Sequence, residues 1–157
     1  MAEMFINAAE VRNKIINVLS GRVSSATLNG GTDSSFLALS TTTPSYGTNG
    51  EISGFTEPSG EGYERYNLGY HSIPQSIVFS SASKGEAKNA LEIRFKQATP
   101  GGSGWGTVTY WGIYTAQNGG TLLAAGKLTT PITVAAGQVA VLSKDALKIS
   151  MNDTPTT

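Results

Sequence analysis

The residue types that could do chemistry are few in this chain, and their spacing narrows them further. One histidine is present, His71, within Gly-Tyr-His-Ser-Ile-Pro. A histidine-dependent nucleophile would have to use it, and a histidine-rich metal site is excluded by number alone. It is read as a solvated or hydrogen-bonded loop residue. Glu57, Glu61 and Glu64 form the densest acidic group, in Phe-Thr-Glu-Pro-Ser-Gly-Glu-Gly-Tyr-Glu-Arg. Carboxylates so spaced could bind calcium or form a glycosidase pair. The aspartate pattern of a calcium-binding hand is absent and Arg65 lies alongside, which favours solvated turn charges. The hexapeptide Gly-Gly-Ser-Gly-Trp-Gly (101–106) fits neither a nucleophile elbow nor a dinucleotide loop, and no Gly-Lys-Ser/Thr completes a phosphate cradle. The expectation is a non-enzymatic protein with no catalytic residue, metal or cofactor.

Composition points the same way. In 157 residues, 11 basic side chains balance 11 acidic ones, so nothing electrostatic recruits nucleic acid or an anionic membrane. Charged residues are 14%, against about 25% in ordinary globular proteins. There are 19 glycines and no cysteine, so disulfides and thiolate metal sites are excluded. The first residues lack the continuous apolar core of a signal peptide, and no run has the length of a membrane span. A soluble chain made in a reducing cytoplasm is expected.

The elements that would position any site follow from periodicity. Residues 7–21 predict a helix: Asn7 caps it, Glu10 completes a capping box, Gly21 ends it, and Val11, Ile15, Val18 and Leu19 form an apolar stripe. Met4, Phe5 and Ile6 precede it as an apolar anchor. Strands are expected over 36–42, 64–70, 76–82, 89–97, 108–116, 121–128, 132–134, 138–144 and 146–151. In the fourth, Leu91, Ile93 and Phe95 should share a buried face. Segment 43–62 reads as a long turn-rich loop and 83–89 as a polar connection. Strand 108–116 is apolar on both alternations, with Tyr110 and Tyr114 on one side and Trp111 and Ile113 near the other. It should be buried twice over or face another subunit. Gln117-Asn118-Gly119-Gly120 supplies a hairpin turn, and Pro131 falls where a ladder hydrogen bond is no longer needed. The fold class expected is mainly β: an antiparallel β-sandwich, or small barrel, of about eight strands with one N-terminal α-helix. One domain spans 1–157, with 1–21 as arm and helix and 152–157 as a polar tail.

Tyr46, Tyr63, Tyr66 and Tyr70, with Trp105, could form a platform for stacking a sugar or a partner, although aromatics beside sheets more often serve a core or an interface. Met4, Phe5, Ile6, Tyr110, Trp111 and Tyr114 are the candidates for an assembly interface.

Segments 37–68, 95–138 and 146–151 resemble a family of small bacteriophage and prophage virion proteins labelled tail fibre protein. The resemblance rests on Glu57, Pro58, Ser59, Gly60, Gly62, Tyr63 and Arg65, on Trp105 to Thr109, on Gly112-Ile113, on Gly119 to Leu123, and on Leu-Thr-Thr-Pro at 128–131. Segment 83–89 departs from it, being more charged than the glycine- and serine-rich linker usual there. The resemblance implies a virion structural protein, tail-associated or fibre-like, that partners other virion proteins and forms a homo-oligomer, a trimer by analogy. A capsid decoration protein and a carbohydrate-binding module contacting host surface glycans are the alternatives.

Overall fold

The computed structural model describes residues 16, 20, 34–46, 52–70 and 78–150. Among the described residues, ten antiparallel strands run in chain order: β1 Ser34–Ser40, β2 Ser45–Tyr46, β3 Ile52–Ser53, β4 Tyr66–Tyr70, β5 Glu86–Lys88, β6 Ile93–Arg94, β7 Gly106–Tyr114, β8 Leu122–Val134, β9 Val141–Leu142 and β10 Lys148–Ser150. The chain is mainly β, as the composition implies. The strands form one four-stranded sheet in the order β4-β1-β7-β8 and three two-stranded ladders, β10-β5, β2-β3 and β6-β9. A sandwich or small barrel of about eight strands was expected; the described residues show antiparallel strands in one four-stranded sheet and three short ladders.

β1 is the inner strand of the frame. Leu37, Ala38, Leu39 and Ser40 are all fully buried, so both faces are covered. Leu37 and Leu39 lie opposite Ile113 and Trp111 of β7. These four join one hydrophobic cluster with Leu68, Phe79, Ile93, Phe95, Val108, Leu142, Leu147 and Ile149. On the other face, Phe55 packs over Gly112, where a Cβ would come within 2.8 Å of the Phe55 ring. Phe55 also meets Tyr114 edge-on, with ring centroids 5.9 Å apart. The doubly apolar pattern of β7 is therefore explained within this chain.

The β7–β8 hairpin closes as the sequence indicates. Gly119 and Gly120 take φ of 63° and 73°, and Thr115 and Thr121 pair across the turn. β8 is one long strand, not two. Its register pairs Val108 with Ile132 and Tyr110 with Lys127, so two steps along β7 match five along β8. The surplus is a bulge holding Leu128 to Pro131, where a residue without an N–H is tolerated.

Three other expectations change. The 83–89 connection contains β5: Ser83 and Glu86 bond each other's backbones around Lys84 and Gly85 at φ 52° and 74°, and Ala87 is buried opposite Ile149. A lysine in the left-handed region hid that turn. Leu91 is 52% exposed and does not share the buried face of Ile93 and Phe95. Its carbonyl accepts a hydrogen bond from the buried Asn89 amide, which also donates to Ser143 and accepts from Leu147 N–H. That network bends the chain before β6 begins. Finally, the described part of 43–62 is bound down: Ser40 Oγ accepts from the N–H of Thr42 and of Thr56, and Thr42 Oγ1 donates to Gly54.

The expected N-terminal helix lies outside the described residues apart from two. Ile16 is helical and fully buried, and its carbonyl accepts from Ser20 N–H at 2.9 Å, the spacing of an α-helical turn. Met4, Phe5, Ile6 and His71 lie outside the described residues.

Gly104 and Gly101 give a matched test of packing. Both have φ near 75–79°, but a Cβ on Gly104 would fall 2.5 Å from Val134 O, whereas nothing lies within 4 Å of one on Gly101. Gly101→Ala should destabilise by about 1 kcal/mol from backbone strain alone. Gly104→Ala should destabilise by about 3 kcal/mol because backbone must move as well. Urea unfolding midpoints check the difference; equal midpoints would refute it.

Candidate functional site

The three glutamates of the acidic segment part company. Residues 57–65 turn through Gly60, Glu61 and Gly62, with φ of 65°, 53° and 77°, and Tyr63 N–H bonds back to Gly60. Glu61 is held by its main chain: its carbonyl accepts from Thr99 N–H and from the Trp105 indole at 3.0 Å. Its carboxylate accepts from Ser103 N–H. Glu64 pairs with Lys96 at the surface. Glu57, expected to be a solvated charge, is turned inward to Arg65. Among the described residues no cluster of acidic and histidine side chains could hold a metal ion.

Arg65 is the centre of this arrangement. Its Nε and Nη2 donate to the two oxygens of Glu57, the Nη2 contact at 2.7 Å. Its Nη1 donates to the carbonyls of Ala116 and Gly119, both in the β7–β8 turn. Its guanidinium lies 3.5 Å from the centroid of the Tyr114 ring. Gln117 completes the tie by donating to Arg65 O. The side chains of Arg65 and Glu57 are 9% and 22% exposed. Burial opposes the Arg65 charge, but the hydrogen bond and charge of Glu57 outweigh it and raise the guanidinium pKa.

Tyr63 is joined to the same carboxylate. Its hydroxyl donates to Glu57 Oε1 at 2.8 Å and accepts from Leu39 N–H at 3.0 Å, anchoring β1. Its ring stands edge-on to Trp105 at 5.2 Å. Burial pushes the phenol far above its ordinary 10.0, with Glu57 adding to the rise and the Leu39 N–H working against it. Tyr114 is raised too, by burial first and then by Glu57, against Arg65.

Beside Arg65 opens a polar cavity of about 520 Å³. Its lining includes Tyr66, Asn67, Phe95, Lys96, Gln117 and Asn118. Tyr66 is half-buried against Phe95, with centroids 5.9 Å apart. Of the four tyrosines read as a platform, Tyr66 lines this cavity and Tyr63 is directed into the Glu57 cluster. Tyr46 and Tyr70 place their backbones in β2 and β4. Of the interface candidates, Trp111 is turned into the core, Tyr114 lies under Arg65 and Tyr110 is half-buried. Asn67, Lys96, Gln117 and Asn118 carry no sequence signal for a site: they come from three separated segments, and Gln117-Asn118 reads only as a turn.

The conspicuous cluster ties segment 57–65 to the β7–β8 turn and to β1, and Glu57, Tyr63 and Arg65 are among the residues on which the sequence resemblance rests. Residues 7–150 match the family model described as Podophage GP4 fiber I protein gp80. The match places the chain in the class of phage fibre-type proteins, with a structural role in the virion beside other virion proteins. The chain belongs to the family of that description. No curated protein matches it significantly.

Two measurements test the tie. Glu57→Gln leaves the Arg65 charge poorly compensated and should destabilise by about 3 kcal/mol. Adding Arg65→Met should cost clearly less than the sum of the single changes, as a double-mutant cycle of unfolding free energies reads. The pH dependence follows from Tyr63: a pKa raised on folding means the folded state holds its proton more tightly. That contribution to stability is complete below pH 10.0 and is lost as pH rises beyond it. Tyr63→Phe should be less stable at neutral pH by about 1 kcal/mol, yet lose stability less steeply above pH 10.0. Parallel alkaline profiles for the two proteins would refute this.

Proposed function

We propose that this protein is a non-enzymatic, tail-associated, fibre-like accessory component of the virion. The observation that carries the reading is the family match over residues 7–150, whose description names a fiber protein. The conspicuous polar groups support a non-enzymatic role: Glu57, Tyr63 and Arg65 spend their hydrogen bonds on one another and on the backbone. We take 1–157 as one β domain with an arm and helix at 1–21 and a polar tail at 152–157.

The protein works as a homo-oligomer, with a trimer favoured by analogy. Trp111 and Tyr114 are engaged within the chain, so the interface is assigned to Met4, Phe5, Ile6 and Tyr110. Leu91, the exposed large apolar side chain among the described residues, adds to it. A second reading, contact with host surface glycans, is favoured by the cavity that Tyr66 lines beside polar amides.

Gold-labelled antibody against the recombinant chain tests the location on intact virions. Gold at the tail or its tip is expected; gold over the head would make this a decoration protein instead. Sedimentation equilibrium of the purified chain should give a trimer, and replacement of Phe5 and Ile6 by serine should shift it towards monomer. A wild-type monomer would overturn the assignment of the interface.

A further inference from the structure

Three features outside the Glu57 cluster could hold something: the serine- and lysine-lined hollow beside β5, the edge of the four-stranded sheet, and the cavity beside Arg65. The hollow, about 360 Å³, is lined by Ser80, Ser83, Lys84 and Lys88, with Glu86 among them. Glu86 pairs with Lys88 and Lys148, so an anion would meet a carboxylate there. Nothing identifies what would cover the sheet edge. The third cavity carries an argument further.

We propose that the cavity bounded by residues 64–67, 95–96 and 117–118 is the binding site of a neutral oligosaccharide. Its volume, about 520 Å³, lies within the range of roughly 300–1,000 Å³ typical of small-ligand sites. Tyr66 is half-buried and braced by Phe95, so its ring is a rigid apolar surface of the kind that packs on the C–H face of a sugar. Around it stand three carboxamides, Asn67, Gln117 and Asn118. Each amide has both donors and an acceptor, the pairing that adjacent sugar hydroxyls require. Two of them are already oriented: Asn67 Oδ1 accepts from Gly69 N–H, and Gln117 Nε2 donates to Arg65 O.

Charge decides the class of sugar. Lys96 at the rim is paired with Glu64, and Arg65 with Glu57. Both cations that line the cavity are thus neutralised by carboxylates of this chain. An acidic saccharide would meet the Glu64 carboxylate in the lining, whereas a neutral one needs only the ring and the amides. This inference deepens the glycan reading of the fibre protein and rests on it. It moves the contact surface from the row of tyrosines to a cavity built from three segments, in which Tyr66 supplies the ring and Tyr63 takes no part.

The purified full chain would be applied to an array of neutral di- to hexasaccharides and of their uronic-acid and sialylated counterparts. Binding to neutral members is expected, weakened about tenfold or more by Tyr66→Ala. Because Tyr66→Ala also removes a ring from against Phe95, Asn118→Ala at the exposed turn provides a second variant that keeps the fold. It should weaken binding several-fold, while Lys144→Ala, at an exposed position outside the cavity lining, should not. The site is wrong if no saccharide binds, if only acidic members bind, or if binding survives both cavity changes undiminished. Binding by the isolated chain is read independently of where gold falls on the virion, so the glycan site and the tail location fail separately.

Discussion

Arg65 and Glu57 fix the relation between two parts of the chain that share no strand pairing: the turn-rich segment 57–65 and the tip of the β7–β8 hairpin. A guanidinium suits the task because its donors form a rigid planar fork. One edge grips the carboxylate, another nitrogen takes two carbonyls of the turn, and the flat face rests on Tyr114. Lysine could supply the charge but not the three directions. A pair this buried is weak evidence of net stabilisation, because removing two charges from water offsets much of their attraction. What it supplies is a unique arrangement, since any other docking of the turn would strand a charge, two carbonyls or both. Tyr63 extends that constraint to β1 through Leu39 N–H, and Trp105 extends it through Glu61 O to the start of β7. The tip of the hairpin, the middle of the sheet and the base of the hairpin are therefore all registered by one nine-residue stretch.

Legibility of the fold tracked the length of its elements. β1, β4, β7 and the tip of the hairpin were readable because long apolar runs end at turn chemistry, as Gly119-Gly120 does. Of the two- and three-residue ladders, β6, β9 and β10 fall within longer expected strands, whereas β2, β3 and β5 lie in segments read as loop or connection, since so few residues carry no period. β5 was concealed by a lysine in the left-handed region, and the bulge in β8 by Pro131, which looks in sequence like the end of a strand. Leu91 alternates correctly with Ile93 and Phe95, yet the Asn89 network bends the chain at that point. A buried side-chain amide acting across 54 residues leaves no local trace in the sequence.

The site was less legible than the fold, for a related reason. Glu57, Tyr63 and Arg65 were visible as a motif, and their residue types suggested surface charge because a sequence does not reveal which carboxylate turns inward. Of three glutamates within eight residues, one is internal, one is held by its own backbone, and one is at the surface. The tyrosines drew attention as a group, whereas the structure divides Tyr63 and Tyr66 between a buried tie and the cavity. The residues completing the cavity belong to turns and to a strand end, where side-chain identity is least determined by period.

That division of labour has a structural consequence. The positions that hold the frame together, Arg65 and Glu57 with the buried leucines of β1, are engaged on every side and tolerate little change. The cavity is built against this frame, yet Asn118 and Lys96 are exposed and contribute nothing to the core. Turn residues of this kind can be exchanged without disturbing strand register, because the register is set behind them by Arg65 and Tyr63. A protein organised so can keep one rigid scaffold while the groups it presents at the surface vary. The same logic accounts for the low charge content. The irregular backbone between short ladders is satisfied from within by Ser40, Thr42, Asn89, Trp105 and Arg65. Few charges are then needed beyond those that set the docking of one segment on another.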